Sequence, residues 1–362
     1  MASRSEIIID GSIGEGGGQI LRTSIALSAV LGVPIKIINI RAKRSNPGLQ
    51  RQHLISVKAV AALSSAKVEG LRLGSTALRF IPGELRGGKY RFDIGTAGSI
   101  TLVLQALLPI IAFIEEPIEI TITGGTDVPW SPPIDYVRFV LARLLRLFGL
   151  DLEIQLKRRG HYPRGGGEVV IKAPPHRKGL APLELKERGD IARIEGLSHC
   201  VKLPSHVAER QAKSAREYLR KELPGVPVSI ELEYYEPHRD PHWGPGSGIV
   251  LWAVTEHSVL GADSLGAKGK PAERVGLEAA KMLVEDLLTT KALDRHASDM
   301  LLVFAAIANG SSILGGARLT LHAYTNLEII KRIIPKVGIK FIEGGELEKP
   351  FTIKIEGYPP RT

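Results

Sequence analysis

The chain has 362 residues, 44% of them hydrophobic and 24% charged, which is the balance of a soluble globular protein large enough for two or three domains. Its net charge of +10 favours a polyanionic partner such as a nucleotide or nucleic acid, while 5% aromatic content leaves few bases-on-rings platforms. One cysteine, Cys200, excludes an internal disulfide framework and a thiolate metal site, and fits a reducing cytoplasm. No apolar run reaches membrane-spanning length, and MASRSEIIIDGS lacks the apolar core of a signal peptide, so no membrane association is expected.

An apolar run, Ile7–Ile9, ends in Asp10, and five glycines follow between Gly11 and Gly18 before a helical pattern begins. Such a loop lets a ligand approach the main chain, and the helix start adds unpaired N–H groups suited to an anion. Glu15 inside it would repel phosphate by itself, so it reads either as a solvated turn residue or as a carboxylate holding a divalent cation against phosphate oxygens. Arg22, one turn into the helix, can reach back as a phosphate fork.

Three segments then read alike, as helix, strand, helix and two strands: Thr23 to Gly83, Ser99 to Ala173 and Asp299 to Gly357. Apolar residues recur every three or four positions in the helices and alternate in several strands. Repeats of this length predict pseudo-symmetric packing of sheets capped by helices, an α+β or α/β plan. In the third segment the predicted strand is ARLTLHAYT, with a following helix that Thr325 or Asn326 caps. About a hundred residues of different character, from Leu185 to Leu293, separate the second and third segments and read as an inserted smaller α/β domain. Its loop EPHRDPHWGPGSG is expected to be a mobile flap, and His238, Asp240 and His242 within it lack the frame of a metal site.

Several residues suit phosphate chemistry. Arg41, Lys43, Arg44 and Arg51 crowd one turn beside Gln52 and His53, a basic loop able to hold polynucleotide phosphates. His322, at a predicted strand end, is placed either as a half-buried histidine bonded to backbone or as a nucleophile for phosphorus. Asp299 could cap the helix of the third segment or orient a ribose hydroxyl. His161 to Glu168 reads as a wide Gly-rich hairpin. There is no GxxxxGK[ST], which excludes a P-loop, and the strand PIKIINIRA ends in Arg41 rather than an acid, which disfavours a dinucleotide fold.

The stretches IDGSIGEGGGQILRTSIALS, RAKRSNPGLQRQHL, RFDIGTAGSITLVLQ, TGGTDVPWSPPIDYVR, GHYPRGGGE and LTLHAYTNLEIIKRI, in this order, resemble the RNA 3′-terminal phosphate cyclases over almost the whole chain. The resemblance implies three βαβαββ units, residues 1–184 and 292–362, with a smaller domain, residues 185–291, inserted before the third. It implies adenylylation of a histidine by ATP, transfer of AMP to an RNA 3′-phosphate, and closure to a 2′,3′-cyclic phosphate. His322 matches the nucleophile and Glu15 the holder of Mg2+ or Mn2+. Arg22, Arg41, Arg44, Gln52 and His53 match the pocket for RNA or ATP phosphates. Gln105, Pro132 and the run His296, Ala297, Ser298, Asp299 and Met300 match the nucleotide site. Met300 stands where the family usually has Gln, and His296 where an aromatic ring often stacks on adenine, so base selectivity is expected to be looser. The competing readings are a non-catalytic ribosome-assembly relative, an enolpyruvyl transferase with repeated βαβαββ units, and a plain RNA-binding module. The sequence leaves the oligomeric state, a homo-oligomer included, open.

Overall fold

The first sheet already contains the rule by which the chain is built. The structure, a computed structural model, describes residues 5–360. β1 (Ile7–Asp10), α1 (Gly18–Leu31), β2 (Ile35–Ile38), α2 (Arg51–Leu63), β3 (Lys67–Glu69) and β4 (Leu78–Ile81) make one unit. The sheet runs β1-β2-β4-β3, with β1 and β2 parallel and the other pairs antiparallel. The parallel pair requires a crossover, which α1 supplies.

The second unit repeats the order with β5 (Gly88–Asp93), α3 (Ile100–Ile111), β6 (Ile118–Gly124), a long helical segment, β7 (Glu153–Arg158) and β8 (Gly167–Ala173). The helical segment comprises α4 (Ile134–Tyr136), a π-turn at Val137–Leu141 and α5 (Ala142–Leu147). A third sheet has the same order again, opening with the two-residue β9 (Glu184–Leu185). Between β9 and the rest of that unit lies the insertion: β10 (Ile191–Val201), α6 (His206–Glu222), β11 (Val228–Glu233), β12 (Gly246–Thr255), β13 (Val259–Leu265) and α7 (Ala272–Leu287). Then come α8 (Arg295–Ile307), β14 (Ser311–Gly316), α9 (Leu321–Ile333), β15 (Gly338–Glu343) and β16 (Phe351–Glu356).

α1 is the hub. It packs against α2, α3 and α9, and every residue from Gln19 to Leu31 is buried, so the end of the Gly-rich loop is delivered to the meeting point of the units. One apolar cluster runs through all three units, and a second fills the space between the insertion's sheet and α6 and α7. The insertion is seated on the second unit partly by Trp252, whose ring stacks on Phe139 at 4.5 Å and 15°. Among the described residues no helix is long and apolar enough to cross a membrane.

The structure departs from the sequence reading in four places. The strand of the third unit is Ser311–Gly316, and Ala317–Thr320 is irregular chain. α9 therefore begins earlier than expected, capped by Thr320, whose hydroxyl accepts from Ala323 N at 3.0 Å; Thr325 and Asn326 lie inside the helix. α8 is capped by Asp294, which accepts from His296 N and Ala297 N, so Asp299 is a helix residue and not a cap. The insertion also has one more strand, β13. Its Pro-rich loop is pinned rather than a loose flap: Asp240 and His242 are buried, and Asp240 accepts from Lys202 N at 2.6 Å and contacts His242 Nδ1 at 2.7 Å.

Candidate active site

Four glycines shape the start of α1. Gly16 has φ +60 and Gly14 φ +53, so the chain turns there in a conformation L side chains avoid. A Cβ on Gly18 would run into His53 Nε2, and one on Gly17 into Arg44 and Glu15. The backbone is thus bare where these three side chains converge.

They converge on a cavity of about 980 Å³ between the units. Glu15, Arg22, Arg41, Arg44, Gln52, His53, Gln105, Pro132, His296, Asp299, Met300 and His322 all line it. Ala297 and Ser298 do not: both are buried behind the wall, where Ser298 Oγ donates to Asp294 O at 2.6 Å. They belong to the helix turn that presents His296 and Asp299, and make no surface of their own.

His322 is in the first turn of α9 with its side chain about half exposed. Its Nδ1 contacts Gln19 Oε1 and lies 3.4 Å from Glu15 Oε2. An Nδ1–H facing two oxygen acceptors leaves the lone pair on Nε2, for which the described residues offer no partner. The hydrogen bond and charge of Glu15 raise the imidazole above its ordinary range, against the opposing effect of burial. Glu15 itself is pushed up by burial but held below the usual carboxylate range by His322, Arg44 and Arg22. Its side chain is only 7% exposed and pairs with Arg44 at 2.5 Å.

Arg22 is the strongest anion signal. It is buried, its Nε has no hydrogen-bond partner, and burial lowers its pKa to about 10, so it stays charged at neutral pH. A buried guanidinium left incompletely paired is costly unless a ligand completes it. His53 adds a neutral donor: burial and the nearby Arg22 and Arg41 charges depress it to about 3, and Nδ1 accepts from Gln50 N at 3.2 Å, which puts the proton on Nε2. Arg41 is partly committed to its own loop, donating to Gly48 O at 2.9 Å, while Gln52 Oε1 accepts from Ser99 N at 2.8 Å.

On the opposite wall, burial raises Asp299 to about 7, and Thr320 Oγ1 donates to it at 2.6 Å. His296 is held edge-on against Tyr136 at 5.7 Å and 82°. Met300, in place of the family's usual Gln, still accepts a hydrogen bond: its Sδ takes one from Gln105 Nε2 at 3.3 Å and fixes that amide. The sequence reading missed Asp263 of β13, which burial raises to about 6, together with Trp130 and Tyr162 at the mouth. Trp130 is 98% exposed with φ +68. The alternation in VLGADSL was the available signal for β13.

Glycine loop, unpaired guanidinium and open imidazole thus share one cleft. Residues 13–340 match the family described as RNA 3′-terminal phosphate cyclase. The chain belongs to that family. Relatives named RNA 3′-terminal phosphate cyclase include one from Hyperthermus butylicus, 68% identical over 97% of this chain and 98% of its own. Others come from Ignicoccus hospitalis, at 57% identity, and Staphylothermus marinus, at 52%, each covering 97% of this chain and 98% of the relative. Membership in the cyclase family makes the chain a ligase-type enzyme of RNA processing.

Proposed function

We propose that this enzyme converts an RNA 3′-terminal phosphate to a 2′,3′-cyclic phosphate using ATP, with His322 Nε2 as the nucleophile. The observation that carries the proposal is the open Nε2 of His322, its ring fixed through Nδ1, in the same cavity as the buried, incompletely paired Arg22.

In the first step Nε2 forms a bond to the α-phosphorus of ATP and the α–β bridging bond breaks, releasing pyrophosphate. The neutral ring becomes cationic as the N–P bond forms, and the Glu15 carboxylate beside Nδ1 stabilises it. Arg22, Arg44 and the Nε2–H of His53 face the phosphates. AMP then passes to the RNA 3′-phosphate, and the vicinal 2′-hydroxyl displaces it, losing its proton. Asp299, with its pKa near neutrality, is suited to accept a proton there or to orient a ribose hydroxyl. His296, Pro132, Gln105 and Met300 line the place we assign to adenine, with Ala297 and Ser298 supporting it from behind.

A divalent ion, Mg2+ or Mn2+, fits Glu15, because Oε2 is paired while Oε1 has no hydrogen-bond partner among the described residues, and such ions need only one carboxylate beside substrate phosphates. When bound it offsets charge developing on the phosphates. We divide the chain into a catalytic domain, residues 1–184 and 292–362, and an inserted domain, residues 185–291; the second apolar cluster, drawn wholly from 191–287, supports this, while Leu185 pairs with Leu314 of the third sheet. The single buried thiol agrees with a cytoplasmic setting.

The test is incubation with α-labelled ATP and a divalent ion, without RNA, followed by denaturing electrophoresis. Label retained on the protein, lost in acid and stable in alkali, is expected. Absence of label across several ions, with nucleotide and RNA still bound, would move the reading to a non-catalytic RNA-binding relative.

Two outcomes follow from the site's geometry. Neutral imidazole is the attacking form, so labelling falls as pH drops through a value above 6.5, the ordinary histidine range. In Glu15→Gln that acid limb moves to lower pH, whatever the absolute rate; an unmoved limb would show that Glu15 does not set it. Met300→Gln replaces a weak acceptor with an amide. It is expected to change the ATP-over-GTP preference in labelling by about 2- to 10-fold, the worth of one neutral hydrogen bond.

A further inference from the structure

A second group of ligand-type side chains lies where the β6–α4 loop, the β7–β8 turn and β10 meet. Asp127, His161 and His199 are all buried there, with one ligand atom from each within 4.8 Å of the others. Neither ring nitrogen of the fully buried His199 has a hydrogen-bond partner, and His161 Nε2 has none. Of the six buried side-chain polar atoms without a partner among the described residues, three are therefore in this one spot. Buried polar groups left dry cost about 1–3 kcal/mol each, so their concentration calls for a ligand.

Asp127 is arranged as a ligand would be. Its Oδ2 accepts from Thr126 Oγ1 at 2.6 Å and from Arg159 Nη1 at 3.3 Å, while Oδ1, which meets the same Nη1 at 3.5 Å, is 4.0 Å from His199 Nε2. Holding a carboxylate in place through outer hydrogen bonds, the shorter ones here on Oδ2, is what the outer partners of a metal site do. The charge balance has the right sign. Asp127, Asp135 and Glu233 surround the single buried guanidinium of Arg159, and only Asp135 has a second cationic partner, Arg138 at 2.7 Å.

We propose that Asp127 Oδ1 and ring nitrogens of His161 and His199 form a site for a divalent transition-metal cation of the zinc type, separate from the catalytic cleft. Two imidazoles and a carboxylate suit Zn2+, whereas Mg2+ prefers all-oxygen coordination. Bonds of about 2.0–2.2 Å require these side chains to close in by on the order of 1 Å. The ion ties β10 of the insertion to the second unit. It thereby steadies the insertion, whose β13 supplies Asp263 to the cleft.

The full chain, stripped with a chelator, is titrated with Zn2+ in the absence of nucleotide. Metal content after desalting and Tm are then measured. One retained equivalent per chain and a Tm raised by several degrees are expected. His199→Gln and His161→Gln each lose the equivalent and the Tm rise, while Glu15→Gln keeps both. Zn2+ that neither stays on the wild-type protein nor raises its Tm overturns the site, and this holds even if a variant fails to fold. Retention undiminished in both histidine variants overturns it as well.

Discussion

Replacing His322 with alanine is expected to abolish the labelled enzyme and cyclisation together, by at least about 10^3-fold, while ATP and RNA still bind. The side chain is half exposed and on the cleft side of α9, which is anchored by buried Ala323, Leu327 and Ile330, so stability should move by no more than about 0.5 kcal/mol. No neighbouring imidazole can substitute. His53 has Nδ1 tied to Gln50 N and is buried, and His296 is held edge-on to Tyr136. His322→Asn should fail equally, since an amide cannot carry AMP in a phosphoramidate. Gln19→Leu is the informative control: it removes the acceptor that fixes the ring but leaves Nε2. Labelling should slow by about 10- to 100-fold without vanishing, the effect of a misoriented nucleophile. Stable label on His322→Ala would sink the assignment.

Much of this cleft was legible because its chemistry is concentrated in short runs. Gly11–Arg22 and Arg41–His53 each hold several charged groups beside glycines, and residue type alone points to phosphate. The order of elements along the chain was legible less directly, through a repeat of helix, strand, helix and two strands, whereas the order of strands within each sheet was not. The failures have local causes. ARLTL alternates as a strand does, yet Leu319 and Ala317 are buried by packing while β14 takes the ladder with the small residues SSILGG. That error put His322 at a strand end rather than on a helix N-terminus, and so hid Thr320, which caps α9 and also bonds Asp299. Asp294 is hidden because the apolar run, from Met300, starts six residues later. Asp263 and His199 were illegible for a deeper reason. Each gains meaning only from partners in distant segments, on a sheet whose edge strand had not been foreseen.

The largest stability effect is expected at Arg159. Its side chain is fully buried and holds three elements at once: Nη2 contacts Asp135 Oδ2 at 2.7 Å and Glu233 Oε2 at 2.6 Å, Nε contacts Glu233 Oε1 at 2.9 Å, and Nη1 faces Asp127 Oδ2 at 3.3 Å. Removing one partner of such a cluster leaves uncompensated buried charge, so Arg159→Met is expected to cost about 3–5 kcal/mol, read from the denaturant midpoint at pH 7. Arg159→Lys keeps the charge but lacks the planar fork, and should fall between the two. The pH dependence gives the sign an independent check. Burial raises Glu233, but Arg159 and other partners bring it down to about 2. A carboxyl depressed in the folded state contributes stability above its unfolded pKa of about 4.3 that is lost as pH falls towards 2. The wild-type protein should therefore weaken across that window. In Arg159→Met the carboxylates lose their counter-charge and prefer to be protonated, so the same acidification should recover part of the lost stability. A variant that weakens in acid as steeply as wild type would show that Arg159 does not hold these carboxylates ionised.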